Sequence, residues 1–323
     1  MARRRSPDDI DGVLVVDKPA AMTSHDAVRE LRRVIGQHRI GHTGTLDPAA
    51  TGVLVLCLGR ATKLVPYLQA VPKTYAATMQ LGITTDTQDQ DGAVVSRADA
   101  RHITERALCE ALTSFQGAVQ QIPPMVSAVK IGGERLHEKA RRGETVEREP
   151  RTVTIHNLVL DEFIAGPVAH ASFLVTCSSG TYVRTLAHDV GQLLGVGASL
   201  TRLRRLANGP FTDDHASNLD ELKGIGRDGV IARLLAVVDA VEMVMPSRTV
   251  DDLTVLERLA HGGRLPSSLA AGHEGSYAVR TDKQLVGIYR QCRPELVWLR
   301  PDELVADTAS NDTRPATSRR VGS

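Results

Sequence analysis

Gly41-His-Thr-Gly-Thr-Leu-Asp-Pro-Ala-Ala-Thr-Gly-Val-Leu54 is the segment on which the reading of this chain turns. Its many small residues let a backbone approach a ligand closely. It holds one carboxylate, Asp47, and Pro48 fixes the backbone angle that follows. From Pro48 to Thr85 there is no acid, whereas Arg60, Lys63 and Lys73 lie in that interval. Asp47 is therefore an isolated anion in a basic stretch. A lone Asp-Pro reads plainly as a turn or a helix cap. A phosphate cradle is set aside, because neither Gly41-His-Thr-Gly44 nor Gly59-Arg-Ala-Thr-Lys63 has Walker spacing.

Upstream, Gly12 to Val16 is an apolar run closed by Asp17-Lys18-Pro19, a strand entering a loop. Ser24 is placed to cap a helix with apolar positions Ala27, Val28, Leu31, Val34 and Ile35, stopped by Gly36. Downstream, Val53 to Leu58 reads as a buried strand and Gly59 to Gln69 as helical. Thr74 to Leu81 alternates as a strand, Asp86 to Gly92 is an acidic turn, and Thr104 to Phe115 is an amphipathic helix. Val126 to Ile131 is a strand candidate and Glu134 to Arg142 is helix-prone. Thr152 to Leu160 and Ala169 to Cys177 are strands, and Thr181 to Leu194 is helical. Strands and helices mix without a strict βαβ rhythm, which predicts an α+β fold with a mixed, mostly antiparallel sheet flanked by helices. The expected organisation is a flexible N-terminus over 1–10, a catalytic domain over 11–245, a small β-rich module over 246–301, and a disordered Ser/Thr/Asp/Arg-rich tail over 302–323.

The 323 residues are 42% hydrophobic and 24% charged, enough for a buried core. Lys plus Arg number 39 against 38 acids, so a globally basic nucleic-acid binder is not indicated, while a local basic face remains open. Cys57, Cys109, Cys177 and Cys292 are far apart in sequence, with no zinc spacing, which fits a reducing compartment. No apolar stretch of signal-peptide or membrane-spanning length follows the N-terminal Met-Ala-Arg-Arg-Arg. A cytoplasmic protein with no membrane partner is expected.

Three other segments accompany the Asp47 loop: Gly12-Val-Leu-Val-Val-Asp-Lys-Pro19, Gln121-Ile-Pro-Pro-Met-Val-Ser-Ala-Val-Lys130 with Arg135-Leu136, and Ser179-Gly-Thr-Tyr-Val-Arg-Thr-Leu186. In this order, and over residues 10–210, the four resemble the bacterial tRNA pseudouridine synthase B (TruB) family. The resemblance implies the pseudouridine synthase fold with a PUA-like RNA-binding C-terminal module. It implies an isomerase that cuts the N-glycosidic bond of the T-loop uridine of tRNA, position 55, turns the base and rejoins it through carbon. It implies no metal and no redox cofactor.

By that resemblance Asp47 is the catalytic carboxylate and Arg184 its buried partner, expected to favour the ionised form and lower its pKa. Tyr75 stacks on the target base, Tyr182 is a second aromatic beside Arg184, and Leu203 is an apolar floor. His42 fills the space left by the flipped base, a flip that costs a few kcal/mol. Lys18 shapes the pocket wall and Asp89 is a polar neighbour. Each has a plain alternative: a half-buried strand tyrosine, a packing leucine, a solvated loop histidine, a surface acid, an ordinary turn. Phosphate contacts are expected from Lys130, Arg135, Arg141 and Arg142, where five glutamates interleave, and from Arg202, Arg204 and Arg205, which have no acids among them. Val126, His137 and Ser179 depart from residues usual in relatives, which touches the grip on RNA and not the core. The expected partner is the T-arm stem-loop of tRNA, bound by a monomer without an obligate protein partner. The alternatives are a tRNA folding helper (an RNA chaperone) that does not need the reaction, and a guide-dependent pseudouridylation subunit.

Overall fold

In the computed structural model the described residues are 9–127, 130–131, 133–136, 142, 144, 146–270 and 274–303. They divide into two compact units, one over 14–234 with the N-terminal residues to Ile10, the other over 235 onward with Asp11–Val13. The division falls at Leu234–Leu235, ahead of the Met245-Pro246 expected from sequence.

The first unit is built on a ten-stranded mixed sheet. Its strands include β1 (Gly12–Lys18), β2 (Ile40–His42), β3 (Thr51–Leu58) and β4 (Lys73–Leu81). A small hairpin, β5 (Ile83–Thr85) with β6 (Val94–Arg97), lies outside that sheet. After β7 (Gly117–Gln121), the two-residue strands β8 (Lys130–Ile131) and β9 (Glu134–Arg135) form a second hairpin. The remaining long strands are β10 (Arg151–Ile164), β11 (Ala169–Cys177) and β12 (Ala198–Asn208), with β13 (Phe211–Thr212) and β14 (Ser217–Asn218) after them. The order is β14-β1-β3-β12-β4-β11-β10-β7, with β2 on β3 and β13 on β12. β4 is antiparallel to both neighbours, β11 and β12, while β12 runs parallel to β3. Glu134-Arg135, expected in a helix-prone stretch, is strand, because it pairs with Lys130-Ile131.

Helices α1 (Ser24–Ile35), α2 (Val65–Gln69), α3 (Glu105–Ser114), α4 (Val183–Leu193) and α5 (Leu219–Ile231) accompany the sheet. In α1, Ala27, Val28, Leu31 and Ile35 form the buried stripe, and Gly36 ends it in the left-handed conformation, φ 71. The N-cap is Thr23 and not Ser24: Thr23 and Asp26 close a reciprocal capping box. This frees the Ser24 hydroxyl, which is buried and bonds both the N–H and the C=O of Leu46, at 2.8 and 3.2 Å. The cap shift thus ties the start of α1 to the residue before Asp47.

Along β4, Lys73, Tyr75, Ala77, Met79 and Leu81 are buried and their alternates half-buried. From this inward set Tyr75, Ala77, Met79 and Leu81 join a core with Leu54, Leu56, Phe173, Val175, Leu186 and Val190. Thus the strand carrying Tyr75 is fixed by packing along its whole length.

The second unit contains a four-stranded sheet in the order β15 (Ser247–Thr249), β16 (Ser276–Arg280), β17 (Leu285–Arg290), β18 (Arg293–Val297). Tyr277, Val279, Val286 and Tyr289 pack with Leu256 and Leu259 of the helix Leu253–Ala260 in its core. Among the described residues no helix is long and apolar enough to cross a membrane.

Candidate active site

The loop from Thr43 to Ala50 hangs between β2 and β3 and is pinned from several elements at once. Asn208 donates to the Thr43 hydroxyl at 2.9 Å, and Arg205 donates to the carbonyls of Gly44 (3.2 Å) and Val53 (2.6 Å). Ser24 holds Leu46, and the Lys18 ammonium reaches the carbonyls of Pro19 (2.7 Å), Met22 (2.8 Å) and Pro48 (3.4 Å). Side chains from β1, α1 and β12 therefore fix the backbone on both sides of Asp47.

Asp47 opens onto a cleft of about 220 Å³ whose walls include Tyr75, Lys73, Tyr182, Arg184, Leu203 and Arg205. Arg184, near the start of α4, is 4% exposed. Its guanidinium lies 3.6 Å from the Asp47 carboxylate and 3.2 Å from that of Asp89, and it donates to the Val126 carbonyl. Gln121 brackets Tyr182, accepting from its N–H at 2.7 Å and donating to its carbonyl at 3.0 Å. That bracket sets where α4 begins and so where Arg184 points.

The expected lowering of the Asp47 pKa by Arg184 is not the net result. Desolvation dominates and raises it above the ordinary carboxylate value; Arg184 opposes this and Asp89 adds to it. The side chain keeps 44% of its surface open to the cleft, so the rise reflects a deep carboxyl reached from one side, not a sealed one. Tyr75 is 8% exposed, and burial raises its phenol pKa. Lys18 and Lys73 are both pulled down to about 8, in each case chiefly by burial.

Residues 32–183 match the family model described as TruB family pseudouridylate synthase (N terminal domain). Residues 184–245 match the tRNA pseudouridylate synthase B C-terminal domain. A protein named tRNA pseudouridine synthase B from Burkholderia mallei is 44% identical over 315 residues, covering 96% of this chain and 100% of its own. The chain belongs to the TruB family of pseudouridylate synthases. A second such relative, from Symbiobacterium thermophilum, is 52% identical over 221 residues, 68% of this chain and 74% of its own. A chain in the crystal structure of a Cbf5-Nop10-Gar1 complex superposes with a TM-score of 0.69 at 25% identity, covering 91% of this chain and 86% of that one. The sequence-based expectations of a pseudouridine synthase fold, an isomerase family and a small C-terminal β module hold.

Within this TruB family chain the structure gathers Asp47, Tyr75, Tyr182, Arg184 and Leu203 around one cleft. Asp89 stands behind it, on the far side of Arg184. Lys18 does not reach the cleft: it is fully buried with its ammonium on three carbonyls, so it holds the Asp47 loop from beneath. The His42 ring lies edge-on to His25, 5.3 Å between centroids.

The basic residues divide differently from expectation. Arg205 is 2% exposed and committed to two carbonyls, so it is not available to phosphate. Arg204 is bidentate on Asp17, at 3.0 and 3.1 Å, with Asp213 at 3.2 Å, so its charge is already matched. Arg202 is exposed. Arg142 pairs with Glu144 at 2.7 Å and Glu134 at 2.9 Å. Lys130 and Arg135 face each other in backbone register across the β8–β9 hairpin. Their side chains, and Arg141 altogether, lie outside the described residues.

Sequence reasoning missed Lys73 and Gln69 as cleft residues. The available signal was the period of β4: Lys73 is two residues before Tyr75 and shares its face.

Proposed function

We propose that this chain converts the T-loop uridine of tRNA to pseudouridine in the cytoplasm, acting as a monomer on a base turned out of the RNA fold. The observation that supports this most is the ion pair of Asp47 with Arg184 at a cleft walled by Tyr75 and Leu203. A flat base fits between an aromatic face and an aliphatic one, and the carboxylate then meets the ribose. Asp47 supplies the ionised group the chemistry needs. Arg184 keeps it charged while the docked base excludes water. Tyr75 positions the base, and Tyr182 shapes the cleft mouth through its place at the start of α4. A paired uridine cannot enter such a cleft, so the base must leave its stack, at a cost of a few kcal/mol. His42, at the end of β2 and next to that loop, is the residue assigned to the vacated space. The near-complete coverage of relatives named for tRNA favours tRNA over a guided RNA target.

Asp47→Asn is the test. The variant should bind a T-arm stem-loop as the unaltered chain does and form no pseudouridine, with no guide RNA or partner protein present. Continued product formation by that variant overturns the assignment. A requirement for a guide RNA overturns the substrate. Full tRNA-folding assistance by an unaltered chain that forms no product points to the folding-helper role instead.

A further inference from the structure

Lys73 opens β4 and is 4% exposed, yet it lines the cleft that holds Asp47 and Tyr75. Its ammonium donates to the carbonyls of Gln69 and Val71, the latter at 2.6 Å. Both acceptors are neutral. A buried ammonium satisfied only by carbonyls keeps an uncompensated charge, which is an expensive arrangement for a fold to retain. Cys177 of β11 and Asn208 of β12 flank it in strand register, and burial pushes the Cys177 thiol up to about 11, so that neighbour is neutral at physiological pH. Arg205, buried on the same wall, adds a second positive charge and likewise ends on carbonyls. Asp47, the carboxylate of the cleft, pairs with Arg184, at 3.6 Å, and not with Lys73. Before any substrate enters, the wall beside Tyr75 is electropositive.

That charge has a use in the reaction. When the C1′–N1 bond of a uridine breaks, its electron pair leaves with N1, and the free uracil carries one negative charge shared over N1, O2 and O4. The base must stay in place, turn, and present C5 to C1′. C5 then bonds to C1′, its hydrogen leaves to solvent as a proton, and N1 takes a proton from solvent. We propose that Lys73, backed by Arg205, supplies the field that stabilises this detached uracil anion, an inference that rests on the pseudouridine synthase reading above. Lys73 passes no proton and makes no bond. It acts as a fixed positive charge in a cleft from which the docked base excludes water, where such charges are worth most.

The test compares Lys73→Met with the unaltered chain on T-arm stem-loops bearing either uridine or 5-fluorouridine at the target. Fluorine withdraws electrons and stabilises the departing anion without help from the protein. Lys73→Met should slow single-turnover consumption of uridine about ten- to a hundredfold, less than loss of a direct oxyanion donor. RNA affinity should stay within about twofold, since the effect is on the charged intermediate. On 5-fluorouridine at pH 6.5 the slowing should be markedly smaller. A purely structural role for Lys73 slows both RNAs equally, and that result, or no slowing on either, overturns the proposal. Lys73→Gln serves if Lys73→Met does not fold. With the unaltered chain and abasic T-arm RNA, the anionic base 5-nitrouracil should bind more tightly than uracil. Equal binding also overturns the proposal. No pseudouridine from the unaltered chain sinks the underlying reading instead, so the two failures are distinct.

Discussion

The guanidinium of Arg184 makes its shorter carboxylate contact with Asp89, 3.2 Å, leaving Asp47 at 3.6 Å. Asp89 is itself held by the Thr87 hydroxyl at 2.5 Å and the Asp91 N–H at 3.2 Å. Arg184 is therefore shared, and Asp47 receives only part of its field. The Asp89 charge also acts directly on Asp47, in the same upward direction as burial. Replacing Asp89 by Asn removes one raising charge and releases the guanidinium towards Asp47. The Asp47 pKa should then fall. Because an ionised Asp47 is required, the rate is lost as pH drops through that pKa, so the acid limb of the single-turnover profile should move to lower pH in Asp89→Asn. A limb that stays or moves up contradicts this account of the pair.

The three arginines of β12 should separate in a salt titration. Arg202→Ala removes an exposed cation and should lower tRNA affinity, with the slope of log K against log salt reduced by about 1. Arg205→Met should leave that slope unchanged. It strips two carbonyls of their buried donor and unpins the Asp47 loop, so stability should fall by about 3 kcal/mol, in the range for breaking buried charged hydrogen bonds. Urea melts beside filter binding at several salt concentrations give both readings.

His42 should make the fold acid-sensitive. Burial, then the neighbours His25 and Arg205, hold its pKa down at about 4. In the unfolded chain it titrates near 6.5. Between these values the unfolded chain binds the proton and the folded one does not, so stability is lost as pH falls from about 6.5 to about 4. His42→Gln, which cannot take up that proton, should show a flatter fall in urea midpoint over this window. An identical slope in the two proteins contradicts the buried neutral imidazole.

Those arginines also mark where the sequence was transparent and where it was not. The Asp47 loop was readable because small residues around one lone acid are unusual, and α1 because Ala27, Val28, Leu31 and Ile35 recur at helical spacing. Asp47, Tyr75, Tyr182, Arg184 and Leu203 come together from four distant segments, which no local pattern reveals; the family resemblance alone put them side by side. Arg205 misled because a cation at an inward strand position looks, in sequence, like one at the surface. Its destination depends on Gly44 and Val53, far away in the chain. The acids that pair with Arg204, Asp17 and Asp213, likewise lie in other elements and are not visible from its own segment. Lys18 and Lys73 differ: their ammoniums end mostly on carbonyls close by in sequence, Pro19 and Met22 for the one and Gln69 and Val71 for the other. Carbonyls belong to every residue, so a lysine's own segment does not show that its charge is buried on them.

Gly52 offers a test of how tightly the loop is specified. It sits in β3 with φ +101, opposite Arg205 of β12 in parallel register. A Cβ built there falls 2.2 Å from the Arg205 carbonyl oxygen and 2.9 Å from its nitrogen. Both are backbone atoms of a central strand and cannot swing aside. Gly52→Ala therefore meets a steric clash and an unfavourable dihedral together, and relief requires β3 and β12 to separate. Separation moves Arg205, which holds Gly44 and Val53 on either side of Asp47. The variant should lose about 3 kcal/mol or more of stability, towards the upper end for single substitutions. Where it still folds, the loss of single-turnover rate should exceed the loss of tRNA affinity, because the displaced part carries the carboxylate and not the phosphate contacts. Gly117→Ala is the control: it too has a positive φ, +93, but nothing lies within 4 Å of its Cβ. It should cost only the dihedral term, about 1 kcal/mol, and leave the rate unchanged. Equal melting points for the two variants would show that the contact between β3 and β12 is not what holds the loop.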